Sequence, residues 1–337
     1  MLVYGWQQPQ QPGGVDLPPS DILPSHALVL IEDLHVGGLI VMNRNVLPPV
    51  EMDLMMDRFQ QLSIVTNGAL LFVAVDQEGG RVNHMGSPWY SSRPSQRELA
   101  GSIDTTIIRT AAARTGIELR AAGLNWDFAP VLDVDNNPNN PVIGDRSFSP
   151  DPEICAELGV LAIQGYQQDG GILACGKHFP GHGDTDVDSH VGLPRIDHGR
   201  ARLDSVELVP FKAAIRAGIA AIMTSHIVFS AIDPDLPATM SRKILTDLLR
   251  EELQFKGIII TDCLEMHGVS QGWGSVEAAI LAVNAGADML LCCHTLETQY
   301  AIRNGLVSAV QSGRIPMERI TESGRRIAMT KAKWLVP

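Results

Sequence analysis

Short, continuous apolar runs alternate along the chain with longer amphipathic stretches, the pattern of strands buried on both faces and joined by helices. The runs fall at residues 1–6, 37–42, 70–76, 124–132, 172–178, 220–226, 257–262 and 288–293. Eight such strands alternating with helices predict an α/β fold, a (β/α)8 TIM-type barrel. A doubly wound open sheet has the same alternation but needs no eighth strand. Between the runs, Ser241 precedes Ile244, Leu245, Leu248, Leu249 and Leu253, which share one helical face, and Ser275 precedes Val276, Ala279, Ile280, Val283 and Ala287. Both serines are predicted to cap helix N-termini. The Pro/Gly-rich stretch at 7–19 lies near the start, so no linker divides the chain, and residues 1–337 are read as a single barrel domain.

Several runs end abruptly on a polar residue: Asp76, Lys177-His178, His226, Asp262 and His294. In a barrel these ends converge on the C-terminal face, where active sites are assembled. Taken singly, each residue could be a cap or a solvated loop residue; five together point to a site.

Composition narrows the partners. With 337 residues, 45% of them hydrophobic, the chain can bury a large core. The 26 basic and 38 acidic side chains leave −12 at pH 7, a surface that repels phosphate backbones and argues against nucleic acid. The longest apolar stretches, at 220–223 and 257–260, are far shorter than the ~20 residues of a membrane span, so no membrane partner is expected. The start, Met1-Leu2-Val3-Tyr4-Gly5-Trp6, lacks the basic opening and small-residue cleavage site of a secretory signal, which predicts a cytoplasmic protein. Five cysteines without C-x-x-C spacing suit neither a disulfide framework nor a structural zinc site. They are read as reduced, mostly core residues.

Four polar segments carry candidate chemistry. The densest runs from Lys177 to His190 and holds His178, His182 and His190 with Asp184, Asp186 and Asp188. It can be read as a solvated loop, as a metal site through His178, His182, Asp184 and His190, or as a proton-transfer dyad in which Asp188 orients His190. In Asp76-Gln77-Glu78-Gly79-Gly80-Arg81 the carboxylates can accept hydrogen bonds from sugar hydroxyls, and the glycines allow close backbone approach or a tight turn. The stretch 125–135 leads into Gly144-Asp145-Arg146-Ser147-Phe148-Ser149, where Arg146 is either a donor to ligand oxygens or half of a structural ion pair. In Ile258-Ile259-Ile260-Thr261-Asp262-Cys263, an aspartate at the mouth of a doubly buried strand is held rigidly, as a nucleophile must be. Helix capping is the alternative there.

These segments, Asp76-Gln77-Glu78-Gly79-Gly80-Arg81-Val82, Gly144-Asp145-Arg146-Ser147-Phe148, Lys177-His178-Phe179-Pro180-Gly181-His182-Gly183-Asp184-Thr185, Asp188-Ser189-His190 and Thr261-Asp262, closely resemble the family 3 glycoside hydrolases. The Lys-His-Phe-Pro-Gly-His-Gly and Asp-Ser-His elements resemble its N-acetyl-β-glucosaminidase branch, and the chain is similar to the short bacterial members without a C-terminal sandwich domain. The resemblance implies that Asp262 is the catalytic nucleophile, His190 the acid/base and Asp188 its partner. It also implies that Asp76, Arg146, Lys177 and His178 hold the sugar beside the scissile bond. Members often carry an arginine three residues after the Arg81 position. Here that place is His84, a shorter donor expected to alter the sugar contact.

The implied activity is a retaining β-N-acetylglucosaminidase that works through a covalent glycosyl-enzyme on peptidoglycan fragments or chitin oligosaccharides, a small carbohydrate substrate, with no cofactor and no metal. A neutral imidazole as acid/base does not repel phosphate, so a phosphorylase is a variant of the same chemistry. A metal-dependent barrel hydrolase and a non-catalytic sugar-binding protein are the other classes. Against the first stands the lack of His-x-His at the end of the first strand. Against the second stands the presence of Asp262 with both Asp188 and His190.

Overall fold

The structure, a computed structural model, describes residues 1–7, 23–86, 88–187 and 192–336. Eight strands form a closed parallel barrel: β1 Leu2–Gly5, β2 Gly38–Val41, β3 Phe72–Val75, β4 Trp126–Asp127, β5 Leu173–Phe179, β6 Ala221–Thr224, β7 Ile258–Cys263 and β8 Met289–Cys292. Closure comes from β1 pairing with β8, Leu2 opposite Leu290 and Tyr4 opposite Cys292. All eight lie where the apolar runs predict them, because a barrel strand packs side chains inward and helices outward and so carries no polar face.

The inner face is filled by Val3, Ile40, Phe72, Ala74, Trp126, Leu173, Cys175, Met223, Ile258, Ile260, Met289 and Leu291. The opposite faces bury Tyr4, Leu39, Val73, Ala174, Ile222, Ile259 and Leu290 against the helix ring. This odd-even division is the strand period of two made visible.

The fourth strand is shorter than the apolar run 124–132. Pro130 has no N–H to donate to the ladder, and beyond β4 the chain keeps one bridge, Val131 to Lys177. Ser241 acts as expected: its extended backbone precedes the helix, and its Oγ accepts the Ile244 N–H at 3.3 Å. Ser275 does not. Gly274 takes the cap position with φ +75°, where a side chain would be strained, while the Ser275 hydroxyl donates to the Leu264 carbonyl at 2.8 Å. Among the described residues no helix is long and apolar enough to cross a membrane.

Candidate active site

Two strand irregularities shape the C-terminal face. In a regular strand consecutive side chains point to opposite sides, so only one of Lys177 and His178, and one of Asp262 and Cys263, could face the barrel mouth. Yet all four line one cavity of about 340 Å³. The pairing explains this. Along β5 and β6 the register runs from Gly176 opposite Ile222 to Phe179 opposite Thr224, and along β7 and β8 from Ile260 opposite Met289 to Cys263 opposite Leu291. Each is a bulge with one extra residue, which re-aims side chains next to it. At the second bulge Thr261 supplies the missing ladder acceptor: its Oγ1 takes the Leu291 N–H at 3.0 Å.

Asp262 therefore presents its carboxylate to the cavity, with one oxygen accepting the Cys263 N–H at 2.7 Å. Burial pushes its pKa up, but His226, His178, the Cys263 amide and Lys177 outweigh burial and hold it below the usual carboxylate range. The group is ionised at neutral pH.

The opposite wall is a buried charge network. Glu78 receives both Nε and Nη2 of Arg146 at 2.8 Å, and Lys177 Nζ at 2.6 Å. Lys177 also pairs with Asp76. Burial raises the Glu78 pKa, and the two cations more than reverse this, leaving it well below the usual range. Burial lowers Lys177 and Arg146, and their carboxylate partners raise both above their ordinary values. Glu78 thus holds both cations while itself lining the cavity. Arg146 is half of an ion pair and also lines the cavity.

His178 is fixed from behind by Asp133, a residue the sequence reading did not single out. Asp133 accepts the His178 Nδ1 at 2.7 Å, the His178 N–H at 3.1 Å and the His182 N–H at 2.7 Å. That places a proton on Nδ1 and turns Nε2 toward the cavity, 3.5 Å from Arg146 Nη2. Burial, with His178 nearby, pushes His182 down to about 4, so it is neutral, and its Nδ1 meets Thr185 Oγ1 at 2.9 Å. His178 and His182 are each engaged with protein partners, and both line the cavity.

The glycine pair at 79 and 80 makes a tight turn between the short strands Gln77–Gly79 and Val82–Asn83, with φ of +91° and +58°. A Cβ on Gly79 would lie 2.2 Å from the Pro94 carbonyl oxygen. The turn brings Arg81 and His84 to the cavity rim, where Arg81 pairs with Asp145 at 3.1 Å.

Of the residues expected in the site, Asp76, His84, Arg146, Lys177, His178 and Asp262 all line this cavity. Asp188 and His190 lie outside the described residues. Cys263, Cys293, His294 and Met42 also belong to the wall, as do Glu78 and His182. Of the two cysteines, Cys293 falls inside an apolar run and was expected in the core, and Cys263 just follows one.

Set against known proteins, the chain matches the Glycosyl hydrolase family 3 N terminal domain over residues 23–330. The protein belongs to glycosyl hydrolase family 3. This family 3 chain is 36% identical over 336 residues to Beta-hexosaminidase A of Pseudoalteromonas piscicida, an alignment covering 92% of the chain and 56% of that relative. It is 38% identical over 271 residues to the Beta-hexosaminidase of Thiobacillus denitrificans, covering 78% of the chain and 73% of the relative. Among solved structures, the family 3 β-N-acetylglucosaminidase of Paenibacillus sp. superposes with TM-score 0.91 at 41% identity over 99% of this chain and 61% of that one. The β-N-acetylhexosaminidase of Beutenbergia cavernae superposes with TM-score 0.87 at 29% identity, covering 98% of this chain and 96% of that one. The family 3 chain thus spans a little over half the length of the first of these relatives, and most of the length of the last.

Proposed function

We propose that the chain is a retaining β-N-acetylglucosaminidase, its residues 1–337 working as one catalytic barrel. The observation that carries this is the ionised Asp262, rigidly set by a bulge on the cavity wall and facing a network of cations and a fixed histidine. The names of the relatives, Beta-hexosaminidase and β-N-acetylglucosaminidase, support the sugar class.

In the first step the Asp262 carboxylate attacks the anomeric carbon, the glycosidic bond breaks, and His190, kept protonated by Asp188, gives its proton to the leaving oxygen. In the second, His190 takes a proton from water, the hydroxide adds to the anomeric carbon, and the Asp262 ester bond breaks. Asp76, Lys177, Arg146 and His178 line the cavity wall that receives the sugar, and His84 stands at its rim. Peptidoglycan fragments ending in N-acetylglucosamine are the proposed substrates, with chitin oligosaccharides sharing the chemistry. The buried, unpaired cysteines fit a reducing compartment such as the cytoplasm.

A slow fluorinated glycosyl substrate tests the nucleophile: it should label one peptide, and that peptide should contain Asp262. Asp262→Asn should lower turnover of an aryl β-N-acetylglucosaminide by at least about 10³-fold, the scale on which loss of a nucleophile acts. Near-normal turnover, or faster cleavage of the aryl β-glucoside, would overturn the assignment. His190→Ala should cost roughly 10²–10⁴-fold on poor leaving groups and far less on activated ones, because an activated group departs without a proton.

A further inference from the structure

The bulge that aims Asp262 also turns the next residue, Cys263, toward the cavity, where Cys293 and His294 arrive from the end of the neighbouring β8. One donor atom from each of Cys263, Cys293 and His294 lies within 4.8 Å of the others. Cys292, the residue before, faces the helix shell instead.

Two thiols and an imidazole form a soft to borderline donor set, which selects zinc-like cations over magnesium or calcium. With Zn–S near 2.3 Å and Zn–N near 2.0–2.1 Å, donors around a tetrahedral zinc stand roughly 3.3–3.8 Å apart. The three atoms need to close by about an ångström at most, and His294 is exposed and able to turn. The backbones that carry them are already fixed. The Cys263 N–H is held by Asp262 at 2.7 Å, the Cys293 carbonyl accepts Arg44 Nη2 at 2.7 Å, and the His294 N–H donates to Glu265 Oε2 at 2.7 Å. Glu265 Oε2 also lies 3.9 Å from Cys263 Sγ, close enough to serve as an outer partner.

We propose that Cys263, Cys293 and His294 bind one Zn²⁺ ion in the wall of the sugar cavity, and that its occupation blocks glycoside cleavage. On binding, each thiol releases its proton to solvent and two Zn–S bonds and one Zn–N bond form. The fourth position opens onto the cavity. The two thiolates offset the ion's charge, so the block is steric: the ion and the ligand at its fourth position occupy space beside Asp262 that the sugar needs. The blocking part rests on the function proposed above; the binding part does not.

The test uses the full chain, reduced and stripped of metal, titrated with Co²⁺. One equivalent should produce the near-ultraviolet thiolate-to-cobalt charge-transfer band with the visible bands of a tetrahedral ion, and Zn²⁺ should abolish both. Cys263→Ala and Cys293→Ala should remove the charge-transfer intensity. His294→Ala should weaken Co²⁺ binding at least about tenfold, since even outer partners of a metal site cost 10–100-fold. Absence of the band in the unsubstituted chain overturns the site, as does a band that persists when both cysteines are replaced. Should the cysteine variants fail to fold, as judged by circular dichroism, His294→Ala decides alone, and unchanged affinity overturns the site. Zn²⁺ should inhibit aryl β-N-acetylglucosaminide cleavage and a chelator should restore it. Cleavage that ignores Zn²⁺ while the cobalt band is present overturns the block. A chain that cleaves no such substrate but shows the band fails the proposed function and keeps the site.

Discussion

Glu78 matters to the site through the two cations it holds. The residue is 5% exposed, and its carboxylate holds Arg146 and Lys177 together, so these two cations are oriented before any sugar arrives. Removing the negative charge leaves two buried cations underpaired, which costs roughly 3–5 kcal/mol when a buried ion pair loses a partner. Glu78→Gln should be destabilised by about that much at pH 7. The sign with pH follows from the lowered pKa of Glu78 in the folded state. Protons bind the unfolded chain first as pH drops below about 4.3, the value of a free glutamate. The advantage of the wild type is therefore constant above that pH and shrinks below it. Urea denaturation of both proteins from pH 7 to pH 3 measures the gap; a gap of equal size at both ends would remove charge as its source.

At the scale of the element, the two bulges decide what the cavity contains. Thr261 is central to the second, since its hydroxyl replaces a carbonyl as acceptor of the buried Leu291 N–H. Thr261→Val keeps the shape and removes the acceptor, stranding a buried donor at a cost of about 1–3 kcal/mol. Because the neighbouring residue is Asp262, turnover should fall at least tenfold with KM little changed, while hydrogen exchange at the Leu291 amide accelerates. Unchanged kinetics would mean that the bulge is set by backbone pairing alone. The same elements show what could be read from sequence. All eight strands were legible, because burial on both faces forbids polar interruption until the strand ends, and Asp76, Lys177, His178 and Asp262 stand where those runs stop. The bulges were not legible, since register belongs to a pair of strands and no single strand encodes it. So the meeting of Cys263 with Cys293, and the turning of both Lys177 and His178 into one cavity, had no signal along the chain. Asp133 was hidden for a related reason. Its partners His178 and His182 are 45 and 49 residues away in sequence.

Across the whole molecule, the barrel separates chemistry from support along its axis. The cavity occupies the C-terminal ends of the strands, and the opposite end is closed by the last helix, Met317–Trp334, with Ile327, Trp334 and Leu335 packed against the inner core. Asp288, just before β8, anchors that helix. It is 2% exposed and accepts from Arg319 at 2.9 Å, Arg326 at 3.0 Å and Ser323 at 2.8 Å, and it pairs with Arg250 from the helix Lys243–Glu252. It also accepts the Ile259 N–H at 3.0 Å, so one carboxylate joins two helices to two strands. Asp288→Asn keeps the size but leaves three guanidinium groups facing a neutral amide, one of whose two positions is a donor pointed at donors. A loss of roughly 3–5 kcal/mol is expected. A chain of this size loses no more than about 2–4 °C per kcal/mol, so the midpoint of thermal unfolding should fall by roughly 10 °C. Turnover and KM at 25 °C should stay near wild type, because the substitution lies at the far end of the barrel from the cavity. Arg326→Met should cost less than Asp288→Asn, since Asp288 then keeps two cations and the lost side chain is the most exposed of the three, at 22%. Equal unfolding midpoints for wild type and Asp288→Asn would show that the closing helix is held by Ile327 and Trp334 alone, and the charge cluster would then be a passenger of the packing rather than its anchor.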